Sequence, residues 1–194
     1  MLIINDIKIA THYYITMFCD NIELTKGRGQ NLDLKTNGNA VKVTVPQGYL
    51  PYGFSRYESD YGGAPSINIE VLTNDDTFLD SVRDMEARII EKVAGMYDST
   101  TVNANQFHSN IKNGRLRLKY KPNATVLFDS NDKVINVDIA NRAFEKYSIE
   151  CTATVTGVYF MNQKFGLIWQ ANHVRLHAPK PTGLKGFAFT NLED

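Results

Sequence analysis

Four cations alternate with apolar residues in the stretch RLRLKYK, residues 115–121. In a β-strand alternate side chains share a face, so these cations would form one row with about 7 Å between neighbours. Leu116, Leu118 and Tyr120 would form an apolar underside. Such a row can neutralise successive phosphates of a nucleic-acid backbone, although a merely solvated face is the alternative for any charge run. The cations are Arg115, Arg117, Lys119 and Lys121, with Lys112 just before them.

Aromatic side chains are concentrated in residues 47–63, QGYLPYGFSRYESDYGG, which also contain Arg56. Their spacing fits neither the two-residue period of a strand nor the 3.6-residue period of a helix. The segment could be a platform for flat ligands, or an ordinary loop whose rings fix it to the core. The rings are Tyr49, Tyr52, Phe54, Tyr57 and Tyr61.

Charge is segregated along the chain, although 21 basic and 21 acidic residues cancel. Residues 56–98 hold ten acids and four bases, whereas residues 112–121 hold five bases and no acid. A protein that is neutral overall can therefore present a polyanion-binding face. A second basic group, Lys26-Gly27-Arg28-Gly29, has the composition of a mobile loop.

Signs of catalysis or metal binding are nearly absent from the sequence. It contains no glycine-rich phosphate loop, no GxSxG, no HExxH and no zinc-type cysteine spacing. His173 and His177 would lie roughly 13 Å apart in a strand, too far to share one metal ion. Cys19 and Cys151 lie in apolar segments, which indicates buried free thiols in a reducing compartment. We predict no enzymatic activity, no metal and no cofactor.

Residues 148–177 form the longest stretch that one kind of structure explains. Two arms rich in β-branched and aromatic residues flank the polar break Asn162-Gln163-Lys164, which predicts a long C-terminal β-hairpin. In the second arm the apolar residues move from odd to even positions after Ala171, so we predict a β-bulge near Asn172-His173. Arms of this length should bend across a small β-barrel or protrude from it.

Shorter elements precede this hairpin. We predict strands at residues 12–24, 65–72, 115–121, 124–128 and 134–139, and a hairpin over 32–45 that turns at Asn37-Gly38-Asn39. One amphipathic helix is predicted over residues 76–97, capped by Asp75, Asp76 or Thr77 and covering one side of the barrel.

The bulk properties fit a soluble globular protein. Of 194 residues 43% are hydrophobic, the mean hydropathy is −0.30, and no apolar run is long enough to span a bilayer. The N-terminal residues contain Asp6 and no small-residue cleavage site, so we expect no signal peptide and an intracellular protein.

The final hairpin has the form CxAxVxGVYFxxxKFGLxWQAxxVRL, and PYGFSRY leads into the alternating strand PSINIEVL. Together with the covering helix, this pattern resembles the single-stranded-DNA-binding proteins of large DNA viruses and certain phages, over about residues 12–177. The resemblance implies a mainly β fold with a single OB-fold-like barrel at 1–177, followed by a tail at 178–194. It also implies a role in viral or phage DNA replication, recombination or repair, in the host cytoplasm or at a viral replication site.

OB folds bind single strands by stacking bases on aromatic rings while cations follow the backbone. The resemblance therefore implies single-stranded DNA as the partner, with replication proteins contacting the tail and a homodimer as further expectations. The tail departs from the phage pattern, because Phe187 and Phe189 precede only two acids, Glu193 and Asp194. The expected nucleic-acid-binding residues are Lys26, Arg28, Tyr52, Phe54, Arg56, Tyr57, Lys112, Arg115, Arg117, Lys119 and Lys121.

Two other classes of protein stay open from the sequence. A β-rich virion or assembly protein without a nucleic-acid role would use the same hairpins for subunit contacts, and an enzyme of nucleic-acid metabolism would need an acidic cluster that we do not find. We expect Trp169 in the core because it alternates with Phe165 and Leu167, with base stacking as the alternative.

Overall fold

Eleven β-strands, one α-helix and one 3-10 turn make up the residues that the computed structural model describes, which are 21–58, 65–97 and 102–179. The strands are β1 Ile22–Lys26, β2 Leu32–Thr36, β3 Val41–Tyr49, β4 Phe54–Tyr57, β5 Ser66–Leu72, β6 Ile111–Lys112, β7 Arg115–Tyr120, β8 Val126–Phe128, β9 Val134–Ile135, β10 Ser148–Met161 and β11 Lys164–His177. The helix α1 is Asp76–Met96 and the 3-10 turn is Ala104–Gln106.

Five of the strands close a ring. β10 pairs with β3, β3 with β5, β5 with β7, β7 with β11, and β11 with β10. Two of these pairings consist of a single residue pair, Tyr49 with Leu72 and Gln170 with Lys119, so the ring is partly open at both seams. A partly open five-stranded barrel is the OB architecture, and the predicted fold class is confirmed as mainly β and OB-like.

The long C-terminal hairpin is confirmed as β10 and β11, each of 14 residues. Its turn lies at Asn162 and Gln163, which both have positive φ. Thr152 pairs with His173 and Ala153 with Ala171, so Asn172 is the extra residue of a bulge, as predicted. A second register shift leaves Thr156 unmatched on β10.

Helix α1 begins and ends within one residue of the prediction. The Asp75 carboxylate accepts a hydrogen bond of 3.0 Å from the amide of Phe78, which satisfies one of the free donors of the first turn. One stripe of the helix is buried in the same apolar cluster as the barrel strands. The members of this stripe are Phe78, Leu79, Val82, Met85, Ile89 and Val93.

The predicted hairpin over 32–45 is wrong in its pairing, although its turn exists. Thr36 and Asn39 exchange backbone hydrogen bonds across Asn37-Gly38, but β2 then pairs with β1 and β10, and β3 pairs with β10 and β5. β10 is long enough to pair with β3 over 148–155 and with β2 at 157–158. Alternation determines which residues of a strand point inward, but it does not determine which other strand pairs with it.

The ends of β1 and β9 differ from the prediction. β1 continues to Lys26, so this residue ends a strand and the loop comprises residues 27–31. β9 stops at Ile135, four residues before the predicted end.

The part of the first predicted strand that covers residues 12–20 lies outside the described residues, as do Cys19, Tyr61 and the whole segment 180–194. Within the described ranges, no helix combines the length and apolarity that crossing a membrane requires.

Candidate nucleic-acid interface

The pairing of β5 with β7 builds the basic face predicted from RLRLKYK. Along β7 the side chains alternate between exposed and buried, and Leu116, Leu118 and Tyr120 point into the core. Arg115, Arg117 and Lys119 therefore point outward, as the alternation predicted. Lys121 is exposed but follows the last residue of the strand.

This outward face forms the floor of a groove of about 510 Å³. Asn68 and Glu70 of β5 lie opposite Lys119 and Arg117 in the antiparallel ladder, and Ser66 lines the groove on the same face of β5. The other walls come from residues 108–112 and from the tip of the β10–β11 hairpin. Four cations and one carboxylate of the described chain line the groove, so its field favours anions. The cations are Lys112, Arg115, Arg117 and Lys119.

Glu70 is a residue of the groove that the sequence analysis missed. It is the direct cross-strand partner of Arg117 and accepts hydrogen bonds from Nη2 at 2.7 Å and from Nε at 3.2 Å. Its second oxygen lies 3.5 Å from Nε of Arg115, close enough for an ion pair but too far for a hydrogen bond. Pairing the two alternating segments PSINIEVL and RLRLKYK in antiparallel register would have revealed it.

Two tyrosines of the aromatic segment are exposed just outside the groove lining. Tyr52 is 46% exposed, and its hydroxyl group accepts a hydrogen bond of 2.8 Å from Arg115. Tyr57 is 54% exposed and pairs with Ser66, which places it on the same face of the sheet as Asn68 and Glu70. Accessible rings beside a row of cations are the elements of a base-stacking platform.

Phe54 does not belong to this platform, which corrects the sequence-based expectation. Its side chain is fully buried, and its ring centroid lies 5.4 Å from those of both Tyr120 and Phe144. Gly53 brings the chain into this position with a φ of 64°, and a Cβ there would meet the carbonyl oxygen of Ala143 at 2.4 Å. Phe54 therefore has no free face for a base.

Arg56 is also placed differently from the expectation. It pairs with Ile67, so it points to the opposite face from Tyr57. Its guanidinium group donates to Glu58, to Asp138 and to the carbonyl oxygen of Ile139. These contacts assign Arg56 to anchoring the 138–141 segment.

The loop at residues 27–31 lines the groove through Asn31 and not through the basic residues that the sequence predicted. Asn31 lines the groove, whereas Lys26 and Arg28 are exposed but absent from the described lining. Backbone hydrogen bonds between Gly27 and Asn31 and between Asn31 and Arg28 close the loop.

The groove wall at residues 108–110 is held by a buried carboxylate of α1. Glu86 is 5% exposed and accepts hydrogen bonds from the Ser109 hydroxyl at 2.7 Å and from the Asn110 amide at 3.1 Å. Burial raises the pKa of Glu86, and these two hydrogen bonds partly offset the effect. The helical stripe gave no hint of this role, since Glu86 resembles any solvated helix residue in sequence.

The hairpin tip contributes apolar residues that the sequence analysis also missed. Tyr159 and Ile168 are partly exposed, and Met161 is 63% exposed. Burial raises the pKa of Tyr159, while the charge of Arg117 opposes that shift. Apolar residues next to a polar two-residue turn were the available signal.

Trp169 occupies the core position that its alternation predicted, with 1% of its surface exposed.

Cys151 is a buried free thiol, and burial raises its pKa to about 12. Among residues 21–58, 65–97 and 102–179, no three histidine, cysteine or acidic side chains come together in a way that could hold a metal ion.

Comparison with known proteins gives no match to a protein-family model and no match among curated protein sequences. Among solved structures, the chain is similar to the single-stranded DNA-binding protein from bacteriophage Enc34, with a TM-score of 0.46 and 12% identity over 90% of this chain and 97% of that one. The complex of the Enc34 protein with ssDNA matches with a TM-score of 0.44 and 12% identity over 83% and 97% of the two chains. The crystal structure of gp2.5, a single-stranded DNA binding protein encoded by bacteriophage T7, matches with a TM-score of 0.47 and 14% identity over 74% and 90%.

Proposed function

We propose that this protein binds single-stranded DNA with little sequence preference, in the groove between β7 and the tip of the β10–β11 hairpin. One observation carries the proposal: the outward cations of β7 share a sheet face with the accessible ring of Tyr57 and lie beside that of Tyr52. Cations can follow the phosphates while unpaired bases stack on the rings. Stacking of this kind does not depend on base identity, because every base has a π-face.

A preference for single strands follows from the same arrangement. In a duplex the bases already stack on one another, so the tyrosine rings could contact them only after unpairing. The cations would still attract the duplex backbone, and duplex binding should therefore be weaker and purely electrostatic.

The test is a fluorescence anisotropy titration of the full chain with a labelled oligo-dT strand and with a mixed-sequence duplex, at about 50 mM and about 200 mM salt. We expect the single strand to bind at least about tenfold more tightly than the duplex, and both to weaken at the higher salt. Equal affinity for the two ligands would contradict the proposal. Absence of binding at the lower salt would favour an assembly protein without a nucleic-acid role.

We also infer a role in viral or phage DNA replication, recombination or repair, inside the host cell, where single strands arise. Contacts between residues 178–194 and replication proteins, and a homodimer, belong to the same proposal. Light scattering of the purified chain with and without oligonucleotide would test the homodimer.

A further inference from the structure

The four cations of the groove fall into two kinds. Arg115 and Arg117 both contact Glu70, whereas Lys112 and Lys119 form no ion pair with any residue that the structure describes. Glu70 is fixed in this place because its strand position lies opposite Arg117 in the β5–β7 ladder. Its side chain is 18% exposed, so water screens it less than it screens the carboxylates on the surface.

Glu70 uses hydrogen-bond donors that a phosphate could otherwise use. Nε and Nη2 of Arg117 both donate to the same Glu70 oxygen, which leaves Nη1 for another acceptor. Nη1 of Arg115 donates to Tyr52, and its Nε lies beside Glu70. One nitrogen of each guanidinium group, Nη2 of Arg115 and Nη1 of Arg117, thus has no partner among the described residues, and the two groups together with Glu70 carry a net charge of about one rather than two.

We propose that Glu70 is an affinity-limiting residue of the groove, which occupies the side of Arg115 and Arg117 that a backbone phosphate would take. This inference rests on the proposed function for the identity of the ligand. A carboxylate about 6 Å from a bound phosphate weakens binding about 3-fold in a water-like dielectric and about 10-fold at half that dielectric. The groove consequently releases a strand more readily than its four cations alone would allow.

Glu70 also helps to position Arg115 and Arg117, but we expect this benefit to be smaller than the repulsion, because other contacts hold both arginines. Arg115 is also held by Tyr52, whose ring centroid lies 5.2 Å from the guanidinium carbon. The backbone of Arg117 is held by the strand. A neutral amide at position 70 can still accept a hydrogen bond from Arg117, so Glu70→Gln retains one anchor and removes the charge.

The experiment compares wild type, Glu70→Gln and Glu91→Gln by anisotropy titration with labelled oligo-dT over a series of salt concentrations. Glu91 is an exposed residue of α1 outside the groove lining, so its variant makes the same charge change at a distance. We expect Glu70→Gln to bind about 3- to 10-fold more tightly at low salt, with a slope of log affinity against log salt that is steeper by up to about 0.7. Glu91→Gln should change affinity less than about twofold.

Equal affinity of Glu70→Gln and wild type would overturn the inference. Weaker binding by Glu70→Gln would overturn it as well, because Glu70 would then act as a positioning residue for the arginines. Thermal melting checks the fold, and Glu70→Thr, which suits a strand, must change affinity in the same direction. If wild type binds no single strand, the proposed function fails separately. The same variants titrated with a heparin oligosaccharide then test whether Glu70 competes with anions, with the same expected order.

Discussion

Tyr52 and Arg115 are 63 residues apart in sequence, yet Nη1 of Arg115 donates a hydrogen bond of 2.8 Å to the Tyr52 hydroxyl group. The pair joins the aromatic segment to the basic strand, which the sequence presents as two separate features. It also fixes one edge of a half-exposed ring, so less conformational entropy is lost when a base stacks on it.

Replacing Tyr52 tests this junction. Tyr52→Ala should lose about 1–3 kcal/mol in single-strand binding, because stacking is removed, while the melting temperature changes by a few degrees at most. Tyr52→Phe keeps the ring and should lose less. Anisotropy titration measures the effect, and Tyr49→Ala is a matched control because Tyr49 is 37% exposed but lines a separate pocket at the start of α1, whereas Tyr52 contacts Arg115 of the groove. Equal losses for Tyr49→Ala and Tyr52→Ala would argue against a defined platform.

Phe54 and Tyr57 should respond in opposite ways although they are three residues apart. Phe54→Ala should lose about 3–5 kcal/mol of unfolding free energy, because a fully buried ring is truncated. Tyr57→Ala should retain stability and lose on the order of 1 kcal/mol or more in DNA binding. Urea unfolding and anisotropy on both variants provide the comparison. A stable Phe54→Ala protein with impaired DNA binding would indicate that Phe54 stacks on bases and does not pack in the core.

The basic strand should set the salt dependence of binding. Alanine at Arg115, Arg117 and Lys119 together should weaken binding and reduce the slope of log affinity against log salt by about 0.7 for each phosphate that is no longer neutralised. The matched control replaces three exposed lysines outside the groove lining, which are Lys35, Lys42 and Lys92. If both triple variants change the slope equally, the groove has no special role in the electrostatics.

Trp169 should report on the core. Trp169→Ala is expected to lose about 3–5 kcal/mol of stability. Since this is the only tryptophan of the chain, its fluorescence in wild type can be assigned without ambiguity. A ring with 1% exposure should resist quenching by iodide, and oligonucleotide should quench it weakly. Strong quenching by both agents would mean that the ring is accessible.

Glu86 should give stability a specific pH dependence. Burial raises its pKa above the ordinary value of 4.5, so at pH values between the unfolded and folded pKa the folded protein binds more protons at Glu86 than the unfolded chain does. Relative to Glu86→Gln, the wild type should be most stable at pH values below about 4.5 and should lose this advantage as the pH rises through the raised pKa. Urea unfolding of both proteins between about pH 4 and pH 7 measures the difference.

Asp129 provides a control of opposite sign. Backbone amides of Lys133 and Asn131 donate to its carboxylate and lower its pKa below 3.8. Compared with Asp129→Asn, the wild type should therefore lose its advantage as the pH falls through the lowered pKa. A pH trend of the same sign for both pairs would contradict the assignment of Glu86 as the buried acid.

Local patterns in the sequence determined which side chains point inward. The alternation of RLRLKYK predicted the outward cations, and the phase slip after Ala171 predicted the bulge at Asn172. The apolar stripe of α1 predicted its buried face from Phe78 to Val93, although Met96 at the end of that stripe is 48% exposed. These properties depend on the geometry of one strand or one helix, which a short stretch of chain carries by itself.

Tertiary structure decided which strands are neighbours, and with that the composition of the site. Glu70 accepts a hydrogen bond from Arg117, 47 residues away in sequence, and Glu86 accepts one from Ser109, 23 residues away. Arg56 donates a hydrogen bond to Asp138, 82 residues away. Phe54 and Tyr57 have similar sequence surroundings, and only the pairing of β4 with β5 buries one and exposes the other. Alternation constrains the face that a strand presents, whereas its partner is chosen by the burial that the whole barrel achieves, so contacts between distant segments could not be derived from local pattern.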